Sequence, residues 1–293
     1  MKRFLILLAA VLALLTPARA QIAVDISIKQ RLFIRHEPIL ATITVTNQTG
    51  RDITLADARE SQWFSFQISS EGDHFVPPRN PDYHLPPLPI RSGETLKRTV
   101  NLSELYDLGD FGIYRIRANI YLAEIDKYFS SKPTHVDITE GRIMWRRTAG
   151  VPSGQKNAGQ THIFSLLAHQ HGEQNTLYIS VEDQDQGTVF CTSTLGRIID
   201  GAPPEIQFDS GNNLYILHLV AQRTFVLTKI SVNGEYLGQT TYTAPKTRPT
   251  LRKLPDGTLQ LIGGHREAPV STDPADAPPP LKLSARPPGL PQS

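Results

Sequence analysis

The sequence predicts an all-β protein made of two units of antiparallel sheet and closed by a proline-rich tail. Three observations carry this expectation. Short runs rich in β-branched and aromatic residues alternate with period two along most of the chain. Clusters of Gly, Pro and Asn separate those runs at the spacing of a β-sandwich or barrel. The second half also repeats a strand-turn-strand theme with a period of roughly 40 residues, as stacked sheets of antiparallel strands do.

The first twenty residues read as an export signal. Lys2 and Arg3 precede the unbroken apolar run Phe4–Leu15, which Thr16-Pro17 ends, and Ala18-Arg19-Ala20 supplies the small residues of a cleavage site. Cleavage is expected before Gln21. The run is shorter than the roughly 20 residues that span a bilayer, and no Cys at the cleavage point calls for a lipid. No later stretch is apolar enough to cross a membrane, so no transmembrane segment is expected after cleavage and the expected compartment is periplasmic or secreted.

Removing Lys2, Arg3 and Arg19 from the 30 basic residues leaves 27 against 28 acidic ones. A nearly neutral mature chain offers no electrostatic case for nucleic acid. Cys191 is the single cysteine, so no intrachain disulfide is possible. Its setting, Thr188-Val189-Phe190-Cys191-Thr192, alternates like a strand and makes it a small buried side chain.

Residues 21–147 are expected to form the first unit. Ala23–Ile28, Ile39–Thr46, Ile53–Leu55, Trp63–Ile68, Thr95–Leu102 and Ile113–Leu122 are its strand candidates. In Trp63–Ile68 the alternation sets Trp63, Ser65 and Gln67 on one face and Phe64, Phe66 and Ile68 on the other. Asn47-Gln48-Thr49 has the N-glycosylation pattern and reads as a surface turn. Leu102–Leu108 reads as a short helical turn on a crossover.

Asp110-Phe111-Gly112-Ile113-Tyr114 stands at the entrance to a strong strand. Its Asp110, Gly112 and Tyr114 give the pattern D-x-G-x-Y, which resembles the tyrosine corner of immunoglobulin-like sandwiches, where the hydroxyl bonds back to upstream backbone. Ile116 stands where antibody domains carry a cysteine. Together with Glu37-Pro38-Ile39, Thr46–Gly50 and Ser92–Thr95, the stretch is similar to bacterial extracytoplasmic Ig-like modules, including the family named after the Bacillus intracellular proteinase inhibitor. That resemblance implies an Ig-like β-sandwich; it implies an activity far less, because such sandwiches host many functions.

Between strand candidates lies a stiff segment, Val76–Pro89, with six prolines. It reads either as a crossover that staples one end of the sandwich or as a loop that presents Arg79, Tyr83 and His84 to a protein partner. Residues 148–160 are small, polar and Gly-bearing, and read as a linker. Residues 161–266 are expected to hold the repeats. Thr176-Leu177-Tyr178-Ile179 aligns with Asn213-Leu214-Tyr215-Ile216, and Ser193–Ile198 with Ser231–Tyr236. Pro255-Asp256-Gly257-Thr258 restarts the theme with a tight turn. The units are similar to β-propeller blades, but too few fit for a closed ring, so an open sheet or sandwich is expected. Residues 267–293 form the tail, disordered or polyproline by composition.

Reactive motifs are sparse. His36-Glu37 is followed by Pro38, which prevents a zincin helix. His169-Gln170-His171 with His162 lacks the ligand number of a metal site. Glu182–Gly187 lacks the closing acidic ligand of a calcium loop and reads as an acidic hairpin tip. No catalytic residue, cofactor or metal is expected. The function expected is an exported, non-catalytic binding or structural protein whose partner is a protein or a cell-envelope component. A proteinase inhibitor acting through the 76–89 loop and a hydrolase with dispersed carboxylates stand as alternatives.

Overall fold

The structure is a computed structural model and describes residues 22–59 and 61–267. The segment read as a signal peptide, and the tail from residue 268 on, lie outside the described residues. The fold is all-β. No helix among the described residues is long and apolar enough to cross a membrane.

The first unit runs through β1 (Ile22–Ile28), β2 (Leu32–Ile34), β3 (Leu40–Asn47), β4 (Ile53–Leu55), β5 (Phe64–Ser69), β6 (Leu88–Ile90), β7 (Thr95–Asn101), a one-turn helix α1 (Leu102–Leu105), β8 (Gly112–Leu122), β9 (Lys127–Ser130) and β10 (Thr134–Thr139). One sheet has the order β1-β3-β7, and the other β2-β10-β8-β5 with β9 beside β8. β2 pairs with β10 in parallel. The alternation of the strands decides the packing. Ala41, Ile43 and Val45 of β3 face Phe66, Ile68, Ile116, Ala118 and Ile120 of the other sheet in one core. Each such side chain contributes about 1.5–3 kcal/mol when fully buried, less for alanine.

Two residues of this unit depart from the expectation. Trp63 precedes β5, and instead of sharing an outer face with Ser65 and Gln67 it is buried. Its indole Nε1 donates to the Leu85 carbonyl at 3.1 Å, so the proline-rich crossover is its lid. Asn47 is completely buried, although its turn is at the surface. Its amide donates to the carbonyls of Arg51, Ile90 and Arg91, and its Oδ1 accepts from the Thr49 amide and hydroxyl. The Asn-x-Thr pattern is thus the local hydrogen-bonding logic of an Asx turn.

The second unit holds β11 (Arg142–Gly150), β12 (Thr161–His171), β13 (Gln174–Asp183), β14 (Val189–Ile198), β15 (Glu205–Phe208), β16 (Leu214–Ala221), β17 (Thr224–Ile230), β18 (Tyr236–Thr243), β19 (Thr250–Lys253), β20 (Leu259–Ile262) and β21 (His265–Arg266). β11 to β14 form one antiparallel meander, and β15 to β18 a second that β21 extends. Phe164, Leu166, Leu177, Ile179 and Val181 of the first pack on Leu214, Ile216 and Ile230 of the second. The β19–β20 hairpin covers the far side of the second meander, with Leu251 against Leu217, Phe225 and Leu227.

Residues 148–160 are not a linker. Thr148–Gly150 pair with β12, and the rest form the hairpin connection, closed by Val151 N donating to Gln160 O at 2.8 Å. The chain instead passes between units at Glu140-Gly141. A side chain at Gly141 would bring a Cβ to 3.0 Å from Leu167 Cβ, so any larger residue would have to push Leu167 aside by a few tenths of an ångström. A small, polar composition suits a hairpin loop as well as a linker, which is why composition misplaced the boundary. The sequence repeat is also out of structural register. Leu177-Tyr178-Ile179 lie on the third strand of their sheet, and Leu214-Tyr215-Ile216 on the second of theirs. Ser193–Ile198 lie within β14, whereas Ser231–Glu235 form the β17–β18 turn.

Candidate binding cleft

The two units meet along a cleft with two lobes. One, of about 280 Å³, is lined by Arg35, His36 and Glu140 of the first unit and by Arg146, Ser165, Ser180 and Glu182 of the second. The other, of about 480 Å³, lies between Arg79, Ser103 and Glu104 on one side and Cys191, Thr192 and Ser193 on the other. His36 and Val189 line both lobes.

The floor follows from strand register. Arg146 is paired with Ser165, Ser165 with Ser180, and Ser180 with Thr192. One polar row therefore crosses all four strands of the meander on the face opposite its core. Thr192 Oγ1 donates to Ser180 Oγ at 3.3 Å. Two residues along β13 from Ser180, Glu182 forms an ion pair with Arg146.

The roof is the turn between β2 and β3. Glu37 N donates to the Ile34 carbonyl at 3.0 Å, and His36, at the third position, has φ 64°. A non-glycine residue there costs about 1 kcal/mol and is held only where its surroundings determine it. The Glu37 carboxylate does this. It is buried, and it accepts from the Ile34 amide at 3.0 Å and from Gln30 Nε2 at 2.9 Å. Burial raises its pKa, and these two bonds oppose the rise. Ser103 Oγ bonds the Glu37 carbonyl and accepts from Ile39 N, tying α1 to the same turn. Tyr178 of β13 is buried, and its phenol is pushed up by burial and by the charge of Glu37 across the junction.

His36 is held below the ordinary histidine pKa by burial first, then by the Arg35 charge, with Arg79 acting in the same sense and Asp107 and Glu182 against it. Its imidazole is therefore neutral at pH 7, able to donate from one nitrogen and accept at the other. Arg35 donates to the Gly109 carbonyl at 2.7 Å and lies over the Phe111 ring. The cleft thus presents guanidinium, carboxylate, hydroxyl and neutral imidazole groups together. Among the described residues no hydrogen bond joins His36 to a serine or to Cys191, and burial pushes the Cys191 thiol up to about 11. The geometry thus does not set His36 as a base beside a serine or beside Cys191.

Of the residues singled out in the 76–89 segment, Arg79 borders the cleft, and Tyr83 and His84 do not. The guanidinium of Arg79 is engaged by the Tyr106 carbonyl at 3.1 Å and by Asp107 at 3.0 Å, and its amide by the Leu105 carbonyl at 2.7 Å. Arg79 reaches the edge of the second lobe; His84 does not, and instead contacts Asp57 through Nδ1 at 2.6 Å. Tyr83 borders a separate aromatic groove. These contacts are those of a staple that fastens the crossover to the sandwich. Tyr114 Oη donates to the Asp110 carbonyl at 3.1 Å, with Gly112 at φ 127°. His162 is a buried residue bonded to the Val232 carbonyl at 2.7 Å. Asp183 Oδ1 accepts from the amides of Asp185 and Gln186, so the acidic 182–187 segment is a hairpin turn closed on itself. Among the described residues no group of three or more His, Cys, Asp or Glu is placed to hold a metal ion.

Sequence reading missed His36, Ser165, Ser180 and Arg146. The available signal was a lone hydroxyl inside otherwise apolar runs, Phe164-Ser165-Leu166 and Ile179-Ser180-Val181. The chain matches no protein-family model and no curated protein.

Proposed function

We propose that this chain is an exported, non-catalytic binding protein of the bacterial cell envelope, and that it takes a polar partner in the cleft between its two units. What supports the cleft as the site is His36. A residue kept in left-handed backbone, against its own preference, stands where both lobes meet, and strain of this kind concentrates at binding sites. The hydroxyl row beneath it offers donors and acceptors with no charge of its own, and the rim carries both signs, a surface suited to a peptide or a similarly mixed polar ligand. Export rests on the Lys2–Ala20 pattern, and N-terminal sequencing of the secreted or periplasmic form should begin at Gln21.

The test is site-specific photocrosslinking in living cells. A photoreactive residue at position 165 should give a discrete adduct that disappears when Ser180→Trp fills the first lobe. The same residue at position 97, on the exposed side of β7, should give none. Equal adducts from both positions, or an adduct indifferent to Ser180→Trp, would remove the cleft from the account.

A further inference from the structure

A second groove, of about 220 Å³, lies on the first unit and shares no lining residue with the cleft. It runs along the free edge of β5, the end strand of its sheet. Phe64, Phe66 and Tyr106 form its floor, where Phe66 meets Phe64 and Tyr106 edge to face. Phe75, 65% exposed, and Tyr83, 41% exposed, stand over it, with Pro78 as a wall. The edge cannot take another strand along its whole length. The Tyr106 hydroxyl already donates to the Phe66 carbonyl at 3.1 Å and accepts from its amide at 3.3 Å, and the Ile68 carbonyl is taken by Val76 N. What remains is a groove whose floor rings are buried and whose two upper rings, Phe75 and Tyr83, are exposed, flanked by the side-chain amides of Gln62 and Asn80. Aromatic grooves with flanking donors suit polyproline II segments, whose stiffness lowers the ordering cost and whose carbonyls are all free.

We propose that the occupant is the chain's own residues 274–291. This segment carries Pro278-Pro279-Pro280, Pro287-Pro288 and Pro291. Three residues per turn would set Pro288 and Pro291 on one edge and Pro287 and Leu290 on the next. The 26 residues after Glu267 reach about 80 Å at roughly 3.1 Å each, against a radius of gyration of about 18 Å for a compact body of this length. Charge agrees. The segment's cations are Lys282 and Arg286. Asp82, next in sequence to the groove residue Tyr83, has no cationic partner among the described residues.

The test uses the full mature chain and a variant of it in which the segment's seven prolines, Pro274, Pro278, Pro279, Pro280, Pro287, Pro288 and Pro291, are all alanine. A fluorescent peptide of residues 274–291 is titrated against each by anisotropy. It should bind the proline-free variant at least about fivefold more tightly than the wild type, whose own segment competes at high effective concentration. Phe75→Ala or Tyr83→Ala in that variant should each weaken it about tenfold; both rings are exposed, so the fold does not depend on them. Three results would overturn the proposal: no binding to the proline-free variant at about 1 mM, binding unaffected by both ring substitutions, or equal binding to wild type and variant, which would give the groove to a proline-rich segment of another protein.

Discussion

Lowering the pH from 7 to about 4 should destabilise this protein through one buried histidine. His218 of β16 is fully buried between the two meanders, next to the face formed by Leu214 and Ile216. Neither ring nitrogen makes a well-formed hydrogen bond, and only a poorly aligned one to the Leu195 backbone acts on the ring. Burial lowers its pKa to about 4; the nearby Leu195 carbonyl favours the cation, but too weakly to compensate. In the unfolded chain the same imidazole titrates near 6.5. Between these values the unfolded state binds the proton and the folded state does not, so stability falls as pH drops from about 6.5 to about 4 and levels off below that. At about 1.4 kcal/mol per pH unit, the loss approaches 3 kcal/mol, a large share of the 5–15 kcal/mol typical of a domain. His36, also lowered, adds to this loss, while Glu37, raised, acts in the opposite sense over its own range. The comparison that isolates His218 is therefore urea unfolding of wild type and His218→Met at pH 7 and at about 4.2. The difference in stability loss between the two proteins should be about 3 kcal/mol in favour of the variant. Identical pH dependence in both would refute the reasoning.

Three further outcomes follow from single side chains. Asn47→Ala should cost about 3 kcal/mol by urea unfolding, because the buried carbonyl of Ile90 and the partly buried ones of Arg51 and Arg91 lose their donor together; a loss below about 1 kcal/mol contradicts the hub. Tyr106→Phe should cost about 1–3 kcal/mol and raise light scattering on storage, since it strips the partner from both Phe66 backbone groups on the β5 edge. Glu182→Gln, which breaks a half-exposed ion pair with Arg146, should shift thermal stability by less than about 1 kcal/mol while weakening partner capture; a severe loss of stability would make Glu182 a structural residue.

The fold was legible where one periodicity dominated. β3 alternates with Ala41, Ile43 and Val45 inward, as Ile39–Thr46 reads. β5 turns Phe64, Phe66 and Ile68 inward in the same way. Registers were not legible, because strands of similar composition occur at different positions in their sheets; Leu177-Tyr178-Ile179 and Leu214-Tyr215-Ile216 look alike and are not equivalent. Nor was the boundary between units, since Gly141 marks it only through its contact with Leu167, 26 residues away in sequence. The cleft was hidden for the same reason. Arg146, Ser165, Ser180 and Thr192 come from four strands, and only pairing lines them up. His36 carries no local sign of its left-handed backbone, which is imposed by Glu37 and by the helix that Ser103 anchors.

The most direct test of the account is the affinity of the crosslinked partner, once purified, for three forms of the full mature chain: wild type, Ser180→Trp and Phe75→Ala. Ser180→Trp should weaken binding at least about tenfold, or about 1.4 kcal/mol, with thermal stability unchanged, and Phe75→Ala, on the other groove, should bind as wild type does. Equal affinity for all three would contradict the claim that the cleft between the two units is where this protein binds.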